Sequence, residues 1–309
     1  MKFVSALFFF VLAALSGRGQ SAIPVAKPQR PIPAVQHVLI ISIDGLRPDR
    51  ALLADMPKLR SLLKQGAYTF WAKTTAVSIT LPSHVSMLTG VTPGKHGIEW
   101  NRVLPFKEPV YPNVPTIFEM ATRAGYTAAM VAGKAKFSTL AKPGTVMCAE
   151  VPDGNTQSNN EAVVLRAVEL IETKKPDLLF VHFPDADAVG HALGWGSPEQ
   201  LACIEKTDRQ LGELLAALDC TDLRASTFII ITADHGGAGL THGADDARSR
   251  HIPWIAVGPG VRKNFDLTTS ASLEVRTEDT CATACYLLGL RQAPYFDGHP
   301  VMLAFEVAP

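Results

Sequence analysis

The clearest pattern in the chain is a set of short apolar runs, each closed by polar residues. His37-Val-Leu-Ile-Ile-Ser-Ile43 is nearly unbroken and stops at Asp44-Gly45. A run of this length bounded by a turn signal predicts a strand buried on both faces, as in parallel sheets. Similar runs predict strands at Ala128–Val131, Leu178–Phe183, Thr227–Thr232 and Trp254–Val257. Helical periodicity fills the intervals at Met56–Gln65, Ser83–Leu88, Thr116–Ala124, Asn160–Thr173, Pro198–Ala217 and Glu278–Leu288. In the helix from Asn160 the expected buried stripe is Ala162, Leu165, Val168, Leu170 and Ile171. In the one from Pro198 it is Leu201, Ile204, Leu211, Leu214 and Leu215. Strands alternating with helices predict an α/β fold: a mostly parallel central sheet with helices on both faces. No repeat, low-complexity segment or linker interrupts 37–309, so one domain is expected there.

Ligands of such sheets gather at the carboxyl ends of the strands. The residues closing the runs are therefore the candidates for chemistry. They are Asp44, then Asp185, Asp187 and His191, then Asp234 and His235, followed by His242. Taken singly, each is more commonly a loop or cap residue. Taken as an ordered set at strand ends, carboxylates and imidazoles offer the nitrogen and oxygen donors of two zinc ions. A nucleophile is expected where Thr74–His84 leads into a helix, because free N–H groups and the helix dipole there favour phosphate. Ser78, Thr80 and Ser83 all qualify, and Ser83 after Pro82 also suits an N-cap. Spacing does not choose among them.

Composition narrows the setting. The 309 residues are 47% hydrophobic and carry 29 basic and 29 acidic side chains, a net charge of zero. That excludes a global field for nucleic-acid polymers or anionic membranes, so affinity for phosphate must be local. Lys2, the apolar run Phe3 to Leu15 and the small residues of Ser16–Ala22 read as a signal peptide cleaved near residue 22. The run is shorter than the roughly 20 residues that span a bilayer. A periplasmic or secreted chain without membrane insertion follows, with residues 23–36 as an exposed, proline-rich lead-in. Of the five cysteines, Cys281 and Cys285 read as small core residues, and none has zinc-finger spacing.

Thr80-Leu-Pro-Ser83, Thr89-Gly90, Pro93-Gly-Lys-His-Gly-Ile-Glu-Trp-Asn101, Asp187-Ala-Val-Gly-His191, Asp234-His-Gly236 and Thr241-His-Gly243 occur in that order. In them the chain resembles the alkaline phosphatase superfamily, and within it the type I phosphodiesterases and nucleotide pyrophosphatases. The resemblance implies that Thr80 is the nucleophile and forms a phosphothreonine. It also implies two Zn2+ sites, one of Asp187, His191 and His242, the other of Asp44, Asp234 and His235 with Thr80 beside it. Asp185 then falls outside the ligand set. Asn101 and the backbone N–H after Thr80 are implied to hold a phosphoryl oxygen.

Three features depart from the nucleotide-cleaving relatives. Leu81 stands where they stack the base on an aromatic, and Val181-His-Phe-Pro184 lacks their tyrosine. Trp100 or Trp195 is left as a substitute. Only six residues separate His235 from His242, where those relatives carry a long insertion. Finally, Lys134-Ala-Lys136 reads first as an exposed basic turn at a strand end. It also resembles the Lys-x-Lys of phosphonoacetate hydrolases, which would make the pair a substrate-binding site. The substrate is thus expected to be a small phosphate ester: a diester or nucleotide, or alternatively a monoester or phosphonate. A phosphoryl transferase or an inactive phosphate-binding protein is disfavoured.

Overall fold

The computed structural model describes residues 26–154 and 156–306, so the signal segment expected over residues 1–22 lies outside the described residues. Eight strands form one sheet: β1 (His37–Ile43), β2 (Ala67–Lys73), β3 (Ala128–Ala132), β4 (Cys148–Glu150), β5 (Leu178–Phe183), β6 (Thr227–Thr232), β7 (His251–Val257) and β8 (Phe265–Asp266). Their order is β4-β3-β5-β1-β6-β7-β2-β8. The helices are α1 (Pro48–Leu53), α2 (Pro57–Gln65), α3 (Thr80–Thr89), α4 (Pro93–His96) and α5 (Ile117–Arg123). They continue with α6 (Asn160–Thr173), α7 (Asp185–Leu193), α8 (Pro198–Cys220), α9 (Ala247–Arg250) and α10 (Glu278–Leu287).

From β4 to β6 the sheet is parallel, as the apolar runs require. Every residue of β5 and β6 is buried, and so is β1 from Val38 onward. Both faces are therefore covered. The helices pack in two groups, α1, α2, α6 and α7 around α8, and α4, α5 and α10 around α3. β7 departs from the expectation. It begins at His251 and runs antiparallel to both β6 and β2. The connection before it contains only the four-residue α9, with no crossover helix to return the chain to the other end of the sheet. β2 went unread because its burial alternates, leaving Trp71 exposed between buried Thr69 and Ala72. β4 and β8, at three and two residues, are too short to show a period.

The expected helices are present with shifted ends, and α3 starts at Thr80, three residues before Ser83. α6 is rotated relative to its predicted stripe. It buries Val163, Val164, Ala167, Leu170 and Ile171, while Ala162 is exposed and Leu165 is 68% exposed. The Asn160 amide lies on the same buried side, its Nδ2 donating to Thr207 Oγ1 (2.9 Å) and Gln210 Oε1 (3.1 Å) of α8. The described part of the lead-in is less free than expected. Lys27 and Arg30 both reach Asp177, Arg30 lies over the Tyr126 ring, and Val35 is fully buried. Cys281 and Cys285 sit in the core, as expected.

β1 is the centre of the fold, with β5 and β6 on its two sides. Ile43 is level with Phe183, and Ser42 with Thr232. The residues following these three strands therefore emerge side by side, which places the chemistry.

Candidate active site

Asp44 follows β1, Asp187 sits in the first turn of α7 after β5, and Asp234 and His235 follow β6. All four are buried. Gly45 makes the close approach possible: its φ is +72°, and a Cβ there would come within 3.1 Å of the Asp187 Cα. Its N–H donates to Asp234 Oδ1 at 3.1 Å. Asp187 and His191 share a face of α7 four residues apart, with His191 Nε2 3.4 Å from Asp187 Oδ1. His242 Nε2 lies 3.6 Å from the same oxygen. His235 Nε2 is 3.4 Å from Asp44 Oδ1 and 3.2 Å from Asp234 Oδ2. Two groups of donor atoms are close enough to hold a cation each: Asp44, Asp234 and His235, and Asp187, His235 and His242. The first matches the expected set. The second shares Asp187 and His242 with the expected set, and His191, at the rim and 45% exposed, keeps its Nε2 3.4 Å from Asp187 Oδ1, within reach of the same place.

These residues fit a metal on two counts. Asp44 Oδ1, Asp187 Oδ1 and Asp234 Oδ2 are buried without a hydrogen-bond partner, a costly state for carboxylate oxygens unless a cation faces them. The imidazoles are oriented to complete the set. Nδ1 of His191, His235 and His242 lies 2.8–2.9 Å from the carbonyls of Leu240, Gly236 and Ser78 respectively. A carbonyl only accepts, so each Nδ1 carries the proton and each Nε2 is left as a lone-pair donor. Burial and the neighbouring His242 also push His235 down to about 4. Burial and the negative charge of Asp44 push Asp234 well above the usual carboxylate range.

Thr80 opens α3 at this cluster, with its Oγ1 3.4 Å from His235 Nε2. The other two hydroxyls are engaged elsewhere. Ser83 lies inside α3, bonded to Thr75 Oγ1, so it is no N-cap. Ser78 Oγ donates to the Ala244 carbonyl. Asp185 accepts the Asn160 N–H at the start of α6, away from the ligand oxygens.

A family model, type I phosphodiesterase / nucleotide pyrophosphatase, matches residues 38–249, a stretch holding all of these side chains. The chain belongs to this family. An uncharacterized pyrophosphatase/phosphodiesterase of Schizosaccharomyces pombe is 28% identical over 225 residues, 65% of this chain and 44% of the relative. Human ectonucleotide pyrophosphatase/phosphodiesterase family member 5 is 27% identical over 252 residues, 74% of this chain and 49% of the relative. The chain thus spans about half the length of these curated relatives. The solved murine ectonucleotide pyrophosphatase / phosphodiesterase 5 shares the fold, with a TM-score of 0.70 at 20% identity, covering 84% of this chain and 97% of that one.

Within this type I phosphodiesterase frame, several expectations change. Leu81, where an aromatic would contact substrate, is fully buried in the core. Its N–H donates to Asn101 Oδ1 at 2.9 Å, and Lys136 Nζ donates to the same oxygen at 2.8 Å. Two donors converging on Oδ1 leave the Asn101 Nδ2 as its free donor. Asn101 therefore presents an amide N–H to the site, while the Leu81 N–H is already occupied. Lys134 is no exposed turn. It is buried, with Nζ 2.7 Å from Asp44 Oδ2 and 2.5 Å from Asp187 Oδ2. Burial opposes its charge, but the two carboxylates outweigh it and raise its pKa. Lys136 has no such pair, and burial and Lys134 push it down to about 8.

His182 was missed as a contributor to the site, and Trp195, expected as a candidate aromatic for substrate, has a different role. His182, on β5, contacts Asp44 Oδ2 at 2.8 Å. Trp195 donates its indole N–H to the Gly45 carbonyl and sets its ring edge-on to His191 and His242. Trp195 thus buttresses the ligands from beneath, buried at 7% exposure.

His96, in the Pro93–Asn101 stretch, is structural. Its Nδ1 accepts the Ile98 N–H at 3.1 Å and its Nε2 meets Ser86 Oγ at 3.0 Å. Burial pushes this imidazole from 6.5 to about 4. The unfolded chain therefore takes up this proton first as pH falls. The contribution of His96 to stability is full above pH 6.5 and is lost progressively between 6.5 and about 4, amounting to roughly 3 kcal/mol. Denaturant titrations of the metal-free protein at pH 7.5 and 4.5 are expected to show His96→Gln losing less stability than wild type over that interval.

Proposed function

We propose that the chain is an exported, metal-dependent phosphodiesterase of the nucleotide pyrophosphatase type that transfers the phosphoryl group first to Thr80 and then to water. One observation carries this reading: a hydroxyl at a helix start lies against two sets of carboxylate and imidazole donors that share His235. Two divalent cations, with zinc best suited to these ligands, would be held by Asp44, Asp234 and His235 and by Asp187, His191 and His242, supplying Lewis acidity at the nucleophile and leaving oxygens. Thr80 Oγ then forms a bond to phosphorus as the ester oxygen departs. The Asn101 amide donates to a non-bridging oxygen, an oxyanion-hole role. Water next attacks phosphorus, and the Oγ–P bond breaks to regenerate Thr80. Export rests on the leader-like residues 1–22, and no helix among the described residues is long and apolar enough to cross a membrane.

The substrate reading comes from the cavity around Thr80. It measures about 430 Å³ and includes Asn101, Lys134, Lys136, Asp187 and His242 in its wall. A trough of about 320 Å³ continues from it past Val103 and Lys136 to Trp100 and Phe106. Phe106, 63% exposed, offers an apolar face beside the site, suited to a flat substituent of a diester. Trp100 lines this trough, whereas Trp195 packs against His191 and His242, which favours Trp100 over Trp195 as the aromatic that meets substrate. Lys136, whose ammonium reaches the cavity with no carboxylate partner among the described residues, favours a second reading, a monoester or phosphonate with an additional negative charge. A comparison of kcat/KM on bis-p-nitrophenyl phosphate, a dinucleotide, p-nitrophenyl phosphate and phosphonoacetate decides between them. Preference for the first two supports the diester reading, and turnover of none in the presence of zinc refutes both. Lys136→Ala is expected to cost about tenfold in kcat/KM on the more anionic substrates, the loss of one charge-assisted contact, and less on the diesters.

A further inference from the structure

Asp44 has two oxygens in unlike surroundings, and His182 is what separates them. The Gly133 N–H donates to His182 Nδ1 at 3.1 Å, which places the ring's proton on Nε2. That Nε2–H then donates to Asp44 Oδ2 at 2.8 Å, with both side chains fully buried. The ring cannot swing away. It packs on Phe137 with centroids 4.3 Å apart and meets the edge of His84 at 5.0 Å, and β5 fixes its backbone between β1 and β3. Lys134 Nζ takes the same oxygen at 2.7 Å. Oδ2 is thereby saturated, whereas Oδ1 is buried, without a partner, and 3.4 Å from His235 Nε2.

We propose that His182 is a positioning residue that holds Asp44 so that it offers a cation one oxygen, Oδ1, in a fixed direction. The inference rests on the reading of Asp44, Asp234 and His235 as a metal site. Hydrogen bonds of this kind from outside the ligand set orient the ligand carboxylate and raise metal affinity by about 10–100-fold. His182→Phe keeps an aromatic ring among Phe137 and His84 but removes the donor. His182→Gln carries an amide N–H to about the place of Nε2.

The experiment is a zinc titration of the metal-free full chain by calorimetry, with Co2+ as a spectroscopic substitute. Wild type is expected to bind two equivalents. In His182→Phe one of the two is expected to bind about 10–100-fold more weakly, with altered cobalt absorption, while His182→Gln stays close to wild type in both. Two equivalents bound by the Phe variant with wild-type affinity and spectrum would overturn the proposal. If the Phe variant does not fold, the comparison moves to His182→Gln against His182→Asn, whose shorter amide falls short of Asp44. Equal zinc affinities for those two overturn it as well. Wild-type protein that takes up neither ion refutes the metal site itself, a result distinct from a failure of the His182 role alone.

Discussion

Thr80→Ala is expected to lower kcat/KM on a phosphodiester by at least about 10⁴-fold, the scale on which removal of a covalent nucleophile is felt, while metal content and folding are retained. Thr80 is buried at the first turn of α3, and its side chain contacts the cluster only through Oγ1, 3.4 Å from His235 Nε2. Truncation to alanine removes that oxygen and keeps a residue well suited to a helix. The backbone carbonyl of residue 80, which His84 Nδ1 contacts at 2.8 Å, is untouched. The loss should therefore fall on chemistry alone. Metal analysis and a thermal melt alongside the kinetics check this, and wild-type enzyme acid-quenched during turnover of a diester should carry on Thr80 a phosphate that still bears the substrate's second ester group. Ser78→Ala separates this account from its nearest rival. Ser78 Oγ donates to a carbonyl and its own carbonyl holds His242, a contact that alanine also provides. A collapse of activity in Ser78→Ala with retention in Thr80→Ala would show that the wrong hydroxyl has been assigned.

What could be read before the fold was known follows from which interactions are local. β1, β5 and β6 are buried on both faces and so appear as continuous apolar runs, and the polar residue after each run is a candidate ligand whatever the topology. That logic reached Asp44, Asp187, Asp234 and His235. It did not reach β7's direction, because Trp254–Val257 is equally apolar in either sense. It also failed for Lys134 and His182. Lys134 follows a strand and looks like a solvated turn, and only the approach of β3 to β5 and β1 brings its ammonium between Asp44 and Asp187. His182 lies within an apolar run, where an imidazole carries no sign that its partner is 138 residues away. Leu81 was misplaced for the opposite reason. The resemblance put it where the relatives have a substrate-stacking aromatic, yet one helical step past Thr80 turns its side chain into the core.

Chelation is expected to abolish activity and also to lower stability, and the second effect is the more discriminating. Three buried carboxylates share the site, and Lys134, the cation among them, bonds Asp44 Oδ2 and Asp187 Oδ2, leaving three oxygens without partners. Removing bound cations thus leaves buried negative charge that the folded protein can relieve only by taking up protons, as the raised pKa of Asp234 indicates. A cation that binds the folded chain at 1,000 times its Kd stabilises it by about 4 kcal/mol, which for a domain of this size corresponds to a rise in Tm of roughly 10 °C. Calorimetric melts with excess chelator and with excess zinc should differ by that order, and activity should return with zinc in step with the upper transition. A distant regulatory ion would restore stability without involving the cluster. Asp234→Asn distinguishes the two cases. By removing charge where burial already disfavours it, the variant should narrow the gap between the two melts while remaining inactive. An unchanged gap would place the stabilising cation elsewhere in the molecule.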